Sequence, residues 1–159
     1  MSVLQDACPP TPLNEIGRTY EHDIGRRLED DFSFFSAEPI GVASLAQVHR
    51  ATLKDSGREV AVKIQHPYVA RYSEIDIVTT RMIFVAIERY FPEINLSWLA
   101  EEMEISLPQE LDFQKEMQNA NTTRNHFASI PNSILKIPDM IWAKQRILVM
   151  ECIFFCGID

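Results

Sequence analysis

A single lysine set inside an apolar strand constrains this chain more than any other feature. Residues 38–51 read Glu-Pro-Ile-Gly-Val-Ala-Ser-Leu-Ala-Gln-Val-His-Arg-Ala, and residues 56–65 read Ser-Gly-Arg-Glu-Val-Ala-Val-Lys-Ile-Gln. The first run predicts two strands joined by a tight turn, and the second a further strand. Strand side chains alternate, so in Glu59–Gln65 one face takes Val60, Val62 and Ile64 and the other takes Ala61, Lys63 and Gln65. Lys54-Asp55-Ser56-Gly57 is the turn between the runs. Pro67, which has no N–H to donate to a ladder, ends the strand. Lys63 is then either a solvated lysine on an edge strand or a ligand-binding one. The small Ala61 beside it leaves room for a flat ligand, and a lysine ammonium is a compact charge suited to phosphate oxygens. The strand pattern alone favours the solvated reading.

The segments around this core read mainly as helices. Leu13, Ile16, Tyr20 and Ile24 recur at three- and four-residue spacing and predict a helix over about 12–27, with Thr11 as N-cap and Pro12 in the first helical position. Residues 28–39 read as a connector carrying Phe32, Phe34 and Phe35. A second helix over about 72–90 carries the stripe Ile75, Val78, Met82, Val85, Ala86 and Tyr90 and stops at Phe91-Pro92. Ser97 is placed to cap a third helix, Pro108 predicts a kink or break, and Glu110 to about Phe127 resumes helical. Ile134–Ile137 and Ile141-Trp142 predict a strand leading into a hairpin at residues 143–146, with Ile147–Met150 as a buried strand.

Composition excludes several classes. The 159 residues are enough for one domain with a real core, and the 46% hydrophobic content is globular rather than disordered. The net charge of −8 makes nucleic acid an unsuitable partner for the whole surface. Charge is uneven: residues 40–72 are basic, whereas Glu101, Glu102, Glu104, Glu110, Asp112 and Glu116 face only Lys115 in their stretch. A basic sheet packed on an acidic helix is one arrangement; solvated faces are the other. Cys8, Cys152 and Cys156 form no CxxC and the histidines are scattered, which argues for reduced thiols and against a zinc site. The longest interior apolar run, Met82–Ile87, is far short of a membrane span, and no signal or transit segment precedes it.

Two further stretches carry candidate chemistry. Phosphate-binding loops use glycines so that backbone N–H groups reach the oxygens. The strand-to-strand turn in 41–48 has one glycine, Gly41, with Ala43, Ser44 and Ala46 where more are expected, so by motif an ordinary hairpin is the better reading. In Glu110–Asn119, Asp112 and Glu116 are four residues apart and share a helical face, with Phe113 and Met117 opposite. That face either pairs with a basic partner or is solvated.

Taken together and in order, 39–51, 60–67 and Glu-Leu-Asp-Phe-x-x-Glu at 110–116 with Asn119 resemble the UbiB/ADCK atypical protein-kinase-like family, and the text looks like its fungal mitochondrial branch. The resemblance covers about residues 3–152. It implies an α+β fold: a protein-kinase-like small lobe, with an antiparallel sheet of about five strands plus inserted and lysine-pairing helices, and with the large lobe absent. It divides the chain into an N-terminal helical extension (1–38), the lobe (39–152) with a helical insertion at 68–109, and an atypical tail (153–159). Ala43, Ser44 and Ala46 match the family's alanine-rich nucleotide loop, and Val48 and Ala61 the positions that sandwich adenine. Lys63 matches the lysine that contacts the α/β-phosphates, and Glu116 the helix glutamate paired with it. Met150 and Glu151 match the gatekeeper and the start of the hinge. Glu110 and Asp112 match the ExD pair, which in the family faces the lysine of a KxGQ motif.

No KxGQ is present, and Ile153–Asp159 does not read like the family's hinge. Phosphoryl transfer also needs a catalytic-loop Asp, an Asn and a metal-binding Asp, none of which this chain supplies. The implied function is an ATP- or ADP-binding small lobe without turnover of its own and with no metal ligands. By resemblance it is mitochondrial, tied to coenzyme Q and lipid homeostasis, with possible membrane or lipid association but no transmembrane segment. The alternatives are a non-catalytic interaction or regulatory module and an unrelated α/β binding domain.

Overall fold

The alternating run Glu59–Gln65 becomes the central strand of an antiparallel sheet. In the computed structural model, residues 8–128 and 136–153 are described. The strands are β1 (Phe32–Phe35), β2 (Gly41–Val42), β3 (Ala46–Leu53), β4 (Glu59–Gln65), β5 (Met140–Ala143) and β6 (Ile147–Glu151). They run in the order β1-β3-β4-β6-β5, with β2 also pairing β3. Five helices complete the chain: α1 (Leu13–Ile24), α2 (Leu28–Asp31), α3 (Pro67–Tyr90), α4 (Ser97–Glu110) and α5 (Phe113–Ala128).

The alternation divides the sheet into two faces. On one, Val60, Val62, Ile64, Ile147 and Val149 pack with Ile16 and Tyr20 of α1 and with Leu28 and Phe32. This face is the main core. On the other, Ala46 and Leu148 pack against Phe113 of α5, with Met117, Met140, Ala143 and Met150 around them. Lys63 lies on this second face, opposite Val48 of β3 and Leu148 of β6.

Several local expectations change. Pro12, not Thr11, is the N-cap of α1, and Gly25 closes that helix in the left-handed conformation at φ 77°. Thr11 instead bonds Gln47 and His66. The stretch read as a connector holds α2 and β1, because Phe32 and Phe35 stack edge-on against one another beneath the sheet and Phe32 also meets Tyr20. The second helix starts at Pro67, five residues before the expected start at about 72, since proline suits a first helical turn. Ser97 opens α4 as its first residue, and its hydroxyl and N–H both bond the Glu88 carboxylate of α3. Pro108 sits inside α4 without breaking it; the break falls at Leu111-Asp112. Residues 134–135 lie outside the described residues, and residues 136–139 are irregular rather than strand. Cys8 and Cys152 are free, and Cys156 lies outside the described residues.

The α3 stripe does not enter the core. Met82 is 67% exposed, Val85 58% and Tyr90 79%, and Trp98 and Ile105 of α4 are exposed as well. The two helices form a hairpin held by Arg81–Glu104 at 2.9 Å and by the Glu88–Ser97 bonds. No helix among the described residues is long and apolar enough to cross a membrane.

Two polar side chains are fully buried at the α1 end of β3. Nδ1 of His49 lies 2.9 Å from the Ser36 carbonyl, and its Nε2 lies 2.7 Å from the Gln47 amide. A carbonyl only accepts, so Nδ1 carries the proton and Nε2 accepts from Gln47, an arrangement that requires the neutral ring. Burial lowers the His49 pKa, outweighing the upward pull of the Ser36 carbonyl. Unfolded histidine titrates near about 6.5, so this contribution to stability is fully present above that pH and is lost as pH falls through the lower folded value. The urea midpoint is therefore expected to be lower at about pH 5.5 than at about pH 7.5, and His49→Gln to shrink the difference. An undiminished pH difference in His49→Gln would exclude His49 as its source.

Candidate functional site

Three contacts fix the start of α5 against the sheet. The N–H of Phe113 donates to the Gln145 carbonyl at 3.0 Å, in the turn between β5 and β6. Nε2 of Gln65, on β4, donates to the Leu111 carbonyl. The Phe113 ring fills the space between Ala46 and Leu148. The Asp112 carboxylate accepts the Gln114 N–H at 2.9 Å, an N-cap arrangement that satisfies one of the free donors of the first turn.

One turn further on, Glu116 reaches the strand lysine. Nζ of Lys63 donates to both carboxylate oxygens of Glu116 at 2.7 Å. The same ammonium stands 4.6 Å from the centroid of the Phe113 ring. Phe113 and Glu116 are three residues apart and so share a helical face. The expected arrangement, with Asp112 beside Glu116 and Phe113 opposite, is thus reversed: Asp112 caps the helix while Phe113 and Glu116 together meet Lys63. The pair is only partly buried, at 26% exposure for the lysine side chain and 41% for the glutamate, so its intrinsic stability is modest.

The remaining predicted residues lie on the sheet, on the β2–β3 loop and at the end of α4. Val48 faces Lys63 across β3–β4, and Ala61 precedes Lys63 by two on the same face. They stand side by side and give a flat ligand one wall, where a sandwich would need two. Met150 is opposite Ala61 in register, half-buried, and Glu151 lies 3.9 Å from Arg58. Ala43 and Ser44 are exposed on the β2–β3 loop, and Ala46 is buried beneath Phe113. The Glu110 side chain is exposed at the end of α4. Of the acidic stretch, only Glu116 faces the sheet.

The 43–45 loop has an unusual hydrogen-bond assignment. Its carbonyls are all taken from within the chain: Ala43 O lies 3.0 Å from Nε2 of His66, Ser44 O accepts the Tyr68 hydroxyl at 3.0 Å, and Leu45 O accepts the His66 N–H at 3.0 Å. A trans peptide is planar, so the N–H that follows a carbonyl points the opposite way. The N–H groups of Ser44 and Leu45 are therefore turned away from His66 and Tyr68, and neither bonds a described residue. Two successive amides are thus left without a partner among the described residues. The glycine count gave no sign of this, because it comes from His66 and Tyr68, downstream of β4.

A second charged cluster lies apart from Lys63. Nε of Arg146 donates to Asp23 at 2.9 Å and its second nitrogen contacts Asp23 and His22, closing the end of α1 onto the β5–β6 turn. Burial pushes the Asp23 pKa up, but hydrogen bonds from Arg146 and His22 outweigh it and hold the carboxyl below its usual value. A cleft of about 350 Å³ opens beside it, lined by Gln65, Ser73 and Ile77 among others. Among the described residues no group of three or more His, Cys, Asp or Glu is placed to hold a metal ion.

Residues 3–159 match the family described as the ABC1 atypical kinase-like domain. The chain belongs to this family. It is 49% identical over 159 residues to an ABC1 family protein MCP2 homolog of Schizosaccharomyces pombe, covering all of this chain and 28% of that protein. It is 44% identical to the ABC1 family protein MCP2 of Saccharomyces cerevisiae and 41% identical to the AarF domain-containing protein kinase 1 of Xenopus laevis, covering 27% and 29% of them. The chain thus spans under a third of the length of these relatives. A solved structure, the complex of Rv3197 with erythromycin from Mycobacterium tuberculosis, superposes with a TM-score of 0.79 at 27% identity, over 92% of this chain and 37% of that one. The α+β small lobe of a kinase-like ABC1 protein, with six strands, is the fold observed.

A double-mutant cycle of Lys63→Met with Glu116→Gln is expected to give a coupling of about 1 kcal/mol that weakens with added salt. Phe113→Ala is expected to cost about 3 kcal/mol in denaturant unfolding, since it empties the space between Ala46 and Leu148. A coupling near zero would show that the pair is not held in solution.

Proposed function

We propose that this chain is the nucleotide-facing small lobe of an ABC1-family atypical kinase. In this reading Lys63, oriented by Glu116, contacts the phosphates of ATP or ADP. The outward amides of Ser44 and Leu45 meet the same oxygens, Val48 and Ala61 form the wall against the adenine, and Met150 with Glu151 borders its edge. The observation that carries the reading is the two-oxygen contact between Glu116 and Lys63 above Phe113. An ion pair holds the ammonium in one place, which a phosphate-binding lysine requires and a solvated lysine does not. The proposal concerns nucleotide binding and not turnover. Mitochondrial location, a role in coenzyme Q or lipid homeostasis and association with lipid follow from the family resemblance and belong to the same proposal.

The apolar side chains Met82, Val85, Tyr90 and Trp98, all exposed on the α3–α4 hairpin, favour a second reading, a non-catalytic interaction module, because exposed apolar surface of this kind marks contact sites. Titration with a fluorescent ADP analogue separates the two. Saturable binding that Lys63→Met weakens by about tenfold, a loss of about 1.4 kcal/mol, supports the nucleotide reading. Binding indifferent to Lys63→Met contradicts it.

A further inference from the structure

We propose that His66 and Tyr68 are positioning residues that make an alanine-rich loop into an anion cradle by holding its carbonyl edge. The inference rests on the nucleotide reading of the site and adds the device that orients its loop. A loop without glycines has no intrinsic preference for turning successive amides outward. Here the preference is imposed from the other side. His66 takes the Ala43 carbonyl through Nε2 and the Leu45 carbonyl through its own N–H, and Tyr68 takes the Ser44 carbonyl. The His66 and Tyr68 rings stack at 5.1 Å with an 8° interplanar angle, so the two donors form one unit.

The proton arrangement is determined. The Ala43 carbonyl only accepts, so Nε2 of His66 carries the proton. Its Nδ1 then accepts from the Thr11 hydroxyl at 2.7 Å. Thr11 is itself fixed on both backbone sides: its N–H donates to Oε1 of Gln47 at 2.7 Å, and its carbonyl accepts from Nε2 of Gln47 at 3.0 Å. His66 and Gln47 are fully buried. The segment that enters α1 therefore sets the histidine tautomer, and the histidine sets the loop. A purely structural His66 would need only to fill space; here each ring nitrogen has a directed partner.

The test uses four variants. Tyr68→Phe removes only the hydroxyl of a ring that is 46% exposed. Thr11→Val removes only the donor to Nδ1. His66→Leu removes both ring contacts, and His66→Gln retains an amide N–H where Nε2 stood. The affinity for ADP is expected to fall about tenfold in Tyr68→Phe and Thr11→Val and further in His66→Leu, on the scale of a lost directed hydrogen bond, and to recover in His66→Gln. The affinity for adenosine, which has no phosphate to meet the loop, is expected to stay unchanged in all four. Equal losses for ADP and adenosine would mean general damage and overturn the proposal. A readout without ligand keeps it independent of the nucleotide reading. The backbone order parameters of Ser44 and Leu45 are expected near about 0.85 in the free protein and below about 0.6 in His66→Leu. If the parent chain binds no ADP, the nucleotide reading fails alone; if the loop stays ordered in His66→Leu, the positioning role fails whatever the chain binds.

Discussion

The candidate site depends on how the first turn of α5 is fixed to the sheet. Glu116 can reach Lys63 because the Phe113 N–H is held by the β5–β6 turn, the Leu111 carbonyl is held by Gln65, and the Phe113 ring is buried over Ala46 and Leu148. Apolar burial of Phe113 supplies most of the energy of this docking, whereas a half-exposed ion pair supplies little of its own. The pair is better understood as a consequence of the docking. Packing sets the geometry, and the geometry holds an ammonium at one point of a largely apolar face.

On the opposite edge of the site the same division of labour recurs. The loop's amides face outward because the buried His66 and the partly exposed Tyr68 hold its carbonyls, and His66 is anchored in turn by Thr11, which Gln47 holds. His66 and Gln47 are buried with partners assigned, which is the condition under which a buried network rigidifies what it holds. The Arg146–Asp23 pair plays a related structural part, tying α1 to the β5–β6 turn that anchors Phe113.

Much of this was legible in the sequence where one physical signal dominated. Alternation placed Ala61, Lys63 and Gln65 on one face and the valines on the other, and three ordered motifs joined Lys63 to Glu116 across 53 positions. Where signals compete the reading failed. A four-residue spacing put Asp112 beside Glu116, but Asp112 lies outside the helix as its cap, and helical spacing does not extend past a cap. The stripe on α3 has the period of a buried face, yet it is exposed, since periodicity reports an apolar face and not what covers it. Strand β1 was hidden because Phe32–Phe35 is short and aromatic, and its partner β3 lies beyond an irregular segment. His66 and Tyr68 were invisible as site residues because their role is to bond backbone carbonyls, for which no residue pattern exists.

The central claim is that Lys63 and the amides of Ser44 and Leu45 meet the phosphates of one ligand. An amide NMR titration tests it most directly, following the Ser44 and Leu45 resonances while ADP and then adenosine are added. The account predicts that these amides shift saturably with ADP, remain still with adenosine, and lose the ADP response in Lys63→Met. It is contradicted if ADP leaves Ser44 and Leu45 unmoved and instead shifts resonances lining the cleft beside Arg146.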